Sequence, residues 1–268
     1  MQQYQPFFEE NKKLWNKRTI VHKDSSFYDV PSFLQGKSSL TKIETEELGE
    51  VSGKKILHLQ CHFGMDSLSL ARMGADVTGV DLSDTAIEEA RKLNDQLSLN
   101  AKFICCNVYD LKEHLNGRFD IVFTSYGVIG WLPDLTKWAE IISGFLRPGG
   151  FFYMAEFHPM VWMFDDDFTE IEYYYHNRET ITVDSHGTYT NFDADIRGRE
   201  YSWNHSISEV LNPLLSQKLQ LIFFNEFSYS PYPCFKKVVR GGDGNWRIPG
   251  LEDKIPMVYS LKAFKPYD

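Results

Sequence analysis

The stretch Lys55-Ile56-Leu57-His58-Leu59-Gln60-Cys61-His62-Phe63-Gly64, followed by Val77-Thr78-Gly79-Val80-Asp81, decides the fold class. An apolar run enters a turn that contains glycine, a short helical pattern follows, and a second apolar run ends in an acid. This is the order strand, turn, crossover helix, strand, with a carboxylate at the tip of the second strand. A carboxylate in that place is suited to grip the two hydroxyls of a ribose. The chain is therefore expected to bind a nucleoside-bearing cofactor at the carboxyl ends of a parallel sheet.

The alternation continues downstream. Met65–Met73 reads as a short helix stopped by Gly74. Ser83 is a good N-cap, and Ala86, Ile87, Ala90, Leu93 and Leu97 recur every three to four residues, as on an amphipathic helix. Lys102–Cys106 and Phe119–Ser125 read as strands. Asp134 caps a helix whose apolar stripe is Leu135, Trp138, Ile141, Ile142, Phe145 and Leu146, and Arg147-Pro148-Gly149-Gly150 ends it before a fifth strand, Phe151–Glu156. Strands alternating with helices predict an α/β, doubly wound, mostly parallel sheet with its strand ends on one rim.

The flanks read differently. Residues 1–50 are expected to form an N-terminal helical cap, with Phe7, Phe8 and Trp15 on one helix and a second helix over Ser39–Leu48. Such helices either close over a cofactor site or simply pack. Beyond residue 157, Thr180–Val183 and Thr188–Thr190 suggest a hairpin turning at Asp184-Ser185-His186-Gly187. Ser206–Ser216 reads as a helix, and Leu219–Phe227 with Pro256–Phe264 as a closing antiparallel pair. Residues 229–255, rich in proline and glycine, read as a loop. The expected division is a cap over 1–50 and a cofactor-binding domain over 51–268, with a partly β lid inserted at about 160–205.

Composition narrows the partners. The 268 residues are 43% apolar and 24% charged, ordinary for a globular chain. The net charge of −9 is a poor match for a phosphate backbone, so nucleic acid is not an expected partner. No window approaches the ~18 uninterrupted apolar residues of a membrane span. The four cysteines, Cys61, Cys105, Cys106 and Cys234, show no CxxC spacing, and with no leader pattern at the start a cytoplasmic, reduced chain is expected. His58, Cys61 and His62 lie on strand and turn rather than on one helical face, with no partnering acid cluster, and no metal is expected. The sequence carries no signal for an oligomeric state.

Four motifs in one order carry a family resemblance. Leu57–Gly64, Gly79-Val80-Asp81-Leu82-Ser83, Phe119–Tyr126 and Leu146–Gly150 resemble the class I S-adenosylmethionine-dependent methyltransferases over about residues 55–157. The resemblance implies a seven-stranded sheet with S-adenosylmethionine across the strand tips and methyl transfer to a small-molecule acceptor. The first motif departs from the family. Where Asp-x-Gly-x-Gly-x-Gly is usual, this chain has His58, Gln60 and His62 and keeps only Gly64, so Gln60 or His62 enters space that is usually empty.

The resemblance assigns Gln60, Cys61, Gly64, Asp66, Asp81, Leu82, Asn107, Val108, Ser125 and Tyr126 to the cofactor. Asp81 matches the ribose acid, and the carbonyl of Asn107 can replace the acid that usually holds the adenine amino group. Tyr126 and Trp131 either shape the pocket or pack a loop. Glu156 and His158, at the end of strand five, either orient and deprotonate an acceptor or form a paired strand end. His205, before a helix, is a base or a neighbour of the cap. Two other classes fit part of the pattern: a nicotinamide-dependent oxidoreductase, whose pyrophosphate turn needs more glycines than this one has, and a non-catalytic cofactor-binding module.

Overall fold

Lys55–Leu59 forms a strand, β1, in which Ile56, Leu57, His58 and Leu59 are all buried. Burial on both faces marks a central parallel strand. In the computed structural model, which describes residues 1–267, β1 lies parallel to and between β2 (Asp76–Asp81) and β4 (Phe119–Thr124). With β3 (Lys102–Cys105), β5 (Leu146–Phe157), β8 (Gln220–Phe227) and β11 (Val258–Phe264), the seven-stranded order is β3-β2-β1-β4-β5-β11-β8. β11 runs antiparallel to both β5 and β8. The α/β class and the closing antiparallel pair follow the sequence reading.

The helices are capped as their sequences ask. The Ser83 hydroxyl accepts the Ala86 N–H at 3.0 Å to start α5 (Asp84–Gln96). Asp134 caps α7 (Leu135–Phe145), and Ser206 with Glu209 closes a full capping box on α8 (Ile207–Ser216). Alternate strand residues feed opposite faces of the sheet. Leu57, Leu59, Val122 and Phe152 meet the buried stripe of α7, with Trp138 at its centre. Ile56, Ile121, Phe123 and Tyr153 pack on the other face, against Val51 and Ile43 of α3 (Lys42–Glu47) and Leu70 of α4 (Met65–Arg72). α6 (Leu111–His114) is a single turn after β3.

The first two helices of the N-terminal fifty residues lie over the sheet's rim, while α3 packs on its face. α1 (Gln5–His22) is longer than its apolar pattern suggests, because it buries Asn11, Arg18, Thr19 and His22 beside Phe8 and Leu14. α2 (Val30–Leu34) starts at Asp29, in a left-handed conformation, with Pro31 in its first turn. The hairpin after β5 corrects the sequence reading. β6 (Ile181–His186) pairs with β7 (Arg197–Ser202), not with Thr188–Thr190. Gly187 ends β6 at φ +69°, where a Cβ would run into the backbone of Phe192, and Thr188 with Asn191 closes a tight turn. Within the loop over 229–255, β9 (Val239–Arg240) and β10 (Trp246–Arg247) form a two-residue ladder. Among the described residues no helix is long and apolar enough to cross a membrane.

Candidate active site

The turn after β1 keeps a glycine-like backbone with only one glycine. Gln60, His62 and Gly64 stand at φ 57°, 50° and 80°. A non-glycine residue held in that region costs on the order of 1 kcal/mol or more, so two side chains have been accommodated against their backbone preference. Gln60 Nε2 donates to the Val128 carbonyl at 2.8 Å, while its Oε1 is buried with no hydrogen-bond partner. His58 Nδ1 is 2.8 Å from the Ser67 hydroxyl, and its Nε2 is likewise buried and unpartnered. At Gly64 a Cβ would lie 2.7 Å from the Phe103 ring and 2.9 Å from Ala90. Packing against β3 and α5 thus leaves no room for a side chain there.

Asp81 closes the tip of β2 against this turn. Its carboxylate accepts the His62 N–H at 2.8 Å and the Ser83 N–H at 2.8 Å. Burial pushes its carboxyl up to about 6, against the opposing pull of those two N–H groups.

A cavity of about 1270 Å³ opens in front of the turn, walled by the rim, α1, α2, the β6–β7 hairpin and residues 231–246. Of the residues expected at the cofactor, Gln60, Cys61, Gly64, Asp66, Ser125 and Tyr126 line it. Asp66 accepts hydrogen bonds from Ser39 (2.6 Å) and Ser125 (3.0 Å), and burial raises its carboxyl above the usual range. Tyr126 Oη lies 3.3 Å from both Thr41 and Glu44, so its hydroxyl is turned to α3.

Asp81, Leu82, Asn107 and Val108 lie outside that cavity, because α1 stands over the tips of β2 and β3. Asn16 accepts from Ser83 at 2.6 Å, Lys12 pairs with Asp84 at 3.0 Å, and Phe8 meets Tyr109 with ring centres 5.9 Å apart. The Asn107 carbonyl accepts the Tyr109 N–H at 3.1 Å, and Val108 is buried in the core. The Leu82 carbonyl accepts from the Cys105 thiol.

Two expected acid–base residues are committed elsewhere. The Glu156 carboxylate accepts the N–H groups of Gly127 (2.5 Å), Phe157 (2.7 Å), Val128 (2.8 Å) and Ile129 (3.2 Å). A carboxylate with its lone pairs on that many amides organises the loop after β4. His158 turns away from the cavity: Nε2 is 3.0 Å from Glu226 on β8, and Nδ1 accepts the Met160 N–H. His205 borders the cavity, with its Nε2–H donated to the Leu132 carbonyl at 2.7 Å. The Trp131 indole N–H donates to Gly127, and its ring meets Trp15 edge-on at 5.3 Å.

The cavity's inner wall comes largely from residues the sequence did not single out. Arg18 lies over the rings of Trp15 and Trp131 and pairs with Glu200 on β7 at 2.5 Å. Tyr28 and Tyr189 join through their hydroxyls, and His22 contacts both His62 and Thr188. A signal existed: Trp15, Arg18 and His22 recur at spacings of three and four, one face of a helix. Glu44, with 0% exposure, carries an unpartnered Oε1; burial and the nearby Asp66 push its carboxyl up to about 7.

The buried, unpartnered Gln60 Oε1 and His58 Nε2 suit the ammonium and carboxylate ends of an amino acid, and Asp81 suits a ribose, so the residues present fit S-adenosylmethionine. Comparison with known proteins points the same way. Residues 56–150 match the family model described as a methyltransferase domain. The ubiquinone biosynthesis O-methyltransferase of Coxiella burnetii is 33% identical over 100 residues, 37% of this chain and 42% of that protein. That of Acinetobacter baylyi is 30% identical over 122 residues, 44% of this chain and 51% of that protein. The chain thus spans about half the length of the curated relatives it matches. Among solved structures, a putative S-adenosylmethionine-dependent methyltransferase from Listeria monocytogenes aligns with TM-score 0.57 at 16% identity, covering 83% of this chain and 95% of that one. A second, from Mesorhizobium loti, aligns with TM-score 0.56 at 19% identity over 86% and 99%. Residues 56–150 of this chain are thus similar to a methyltransferase domain, and the chain shares its fold with solved S-adenosylmethionine-dependent methyltransferases.

Proposed function

We propose that the chain transfers a methyl group from S-adenosylmethionine to an oxygen of a small, partly aromatic acceptor. The observation that carries this reading is Asp81 at the tip of β2, joined through the His62 amide to a turn that faces a walled cavity. When bound, S-adenosylmethionine supplies a methyl group already activated for in-line displacement. The protein's share is therefore alignment and exclusion of water. Asp81 would hold the ribose hydroxyls. Gln60 Oε1 and His58 Nε2 would meet the amino-acid end. Tyr126, Trp131, Trp162 and Trp203 wall the cavity with apolar surface, which favours an aromatic or partly apolar acceptor. Residues 1–50 and 160–205 act as cap and lid over the acceptor. The names of the curated relatives support oxygen as the acceptor atom.

The same turn weighs against a nicotinamide cofactor. A pyrophosphate needs close backbone approach, and Gln60 and His62 put side chains at two of the places where that fold has glycine. Incubation with S-adenosylmethionine and a bacterial metabolite extract tests the proposal. Protein-dependent formation of S-adenosylhomocysteine, with one metabolite gaining a methyl mass, is expected. Formation at the protein-free rate, or quenching of NADH fluorescence on binding, contradicts it.

A further inference from the structure

His62 stands where the family has glycine, and its imidazole does not stand alone. Nε2 lies 2.9 Å from His22 Nδ1, and His22 Nε2 lies 2.5 Å from the Thr188 hydroxyl. The three groups come from the β1 turn, from α1 and from the loop after β6, so the chain of hydrogen bonds ties the cap and the lid to the cofactor turn. His62 lines the cavity, and its Nδ1 takes no hydrogen bond from any described residue. The mechanism above leaves this pair unused.

Resting on the methyl-transfer reading, we infer that His62 Nδ1 is the proton acceptor for a hydroxyl-bearing acceptor molecule, with His22 and Thr188 holding its tautomer. One arrangement of protons serves this role. His62 Nε2–H donates to His22 Nδ1, His22 Nε2–H donates to the Thr188 oxygen, and His62 Nδ1 is left with its lone pair toward the cavity. The acceptor's oxygen forms the new O–CH₃ bond, and the electron pair of the broken S–CH₃ bond stays on the donor's sulfur. The acceptor's O–H bond breaks and its proton passes to the His62–His22 pair. Total charge is conserved: the positive charge leaves the sulfonium and appears on the imidazoles, to be released to solvent after product leaves.

The electrostatics suit a donor that is itself a cation. Burial holds His62 down to about 3, and burial together with His62 and Arg18 holds His22 down to about 2. Both rings are therefore neutral before transfer, so neither imidazole adds a positive charge beside the sulfonium, and Arg18 is paired with Glu200. A weakly basic imidazole is sufficient, because a hydroxyl becomes strongly acidic as its oxygen bonds to the methyl carbon. The other ionisable groups packed around the pair are Arg18 on α1, Asp81 on β2, Tyr28 and Tyr189.

The test loads the protein with S-adenosylhomocysteine, checks that binding by calorimetry, and titrates phenol while the ¹⁵N signals of the histidine rings are followed. Saturable movement of the His62 Nδ1 signal, with both rings neutral, is the expected result. In His62→Gly, which keeps the amide that Asp81 needs, phenol affinity should fall about tenfold, the worth of one hydrogen bond, with S-adenosylhomocysteine affinity unchanged within twofold. Phenol that fails to bind, or that binds without moving His62, overturns the inference and leaves the donor reading intact. A loss of S-adenosylhomocysteine binding by the wild-type protein would instead strike the donor reading.

Discussion

The backbone N–H of His62 lies 2.8 Å from a carboxylate oxygen of Asp81, which joins the turn after one strand to the tip of the next. One acid thereby fixes the turn's shape and, in the proposed function, presents its remaining lone pairs to a ribose. Because the acid's pKa sits near 6, the two duties separate with pH.

Affinity for S-adenosylhomocysteine should be constant from pH 8 to 7 and fall as pH drops through about 6. The ribose hydroxyls donate to an ionised carboxylate, and protonation removes its charge. A calorimetric pH series checks this. An affinity flat from pH 8 to 5 would show that Asp81 does not make the contact.

Glu44 gives a pH effect on stability of definite sign. Its folded pKa of about 7 lies above the ordinary 4.5, so its contribution is full below pH 4.5 and is lost as pH rises through about 7. Against Glu44→Gln, the wild-type protein should lose on the order of 3 kcal/mol between pH 4.5 and pH 8. Urea unfolding of both proteins at the two pH values measures it. Parallel behaviour would mean that Glu44 has a cationic or solvent partner when folded.

Glu156→Ala should unfold the loop after β4 rather than abolish a proton transfer. Four backbone N–H groups lose their acceptor at once, and a stability loss of about 3 kcal/mol or more is expected. A variant with unchanged melting temperature but no turnover would restore Glu156 as a base.

α1 must yield for the adenosyl group to reach Asp81. It is held by polar contacts, Lys12 with Asp84, Arg18 with Glu200, and Asn11 with the Tyr201 backbone at 2.8 and 2.9 Å, and by apolar ones, Phe7 stacked on Tyr201, Phe8 on Tyr109 and Leu14 on Ile196. The polar contacts open more readily than the apolar ones. Amide exchange over residues 5–22 should be fast in the free protein and at least tenfold slower with S-adenosylhomocysteine. Exchange unchanged by the ligand would leave α1 as fixed packing.

The sheet was legible because its strands announce themselves. β1, β2 and β4 are short apolar runs bounded by turn residues, and buried parallel strands have no polar face to confuse the period. The hairpin was misplaced because Thr188-Tyr189-Thr190 has strong strand propensity while the true partner, Arg197–Ser202, is charged; Gly187 and the Thr188–Asn191 turn overrode propensity. The place of Asp81 at the tip of β2 was legible from the order of the strands. The commitments of Glu156 and His158 were not, since hydrogen bonds to distant backbone groups and to Glu226 exist only once β5, the loop after β4 and β8 are assembled. The His22–His62 contact joins residues forty apart and has no local signature.

The most direct measurement is calorimetric binding of S-adenosylhomocysteine to wild-type protein and to folded Asp81→Ala. The account predicts one site per chain in the wild type and an affinity lower by roughly a hundredfold in the variant, the loss of two charge-assisted hydrogen bonds at about 1.5 kcal/mol each. Equal affinities, or no binding by the wild type, would contradict it.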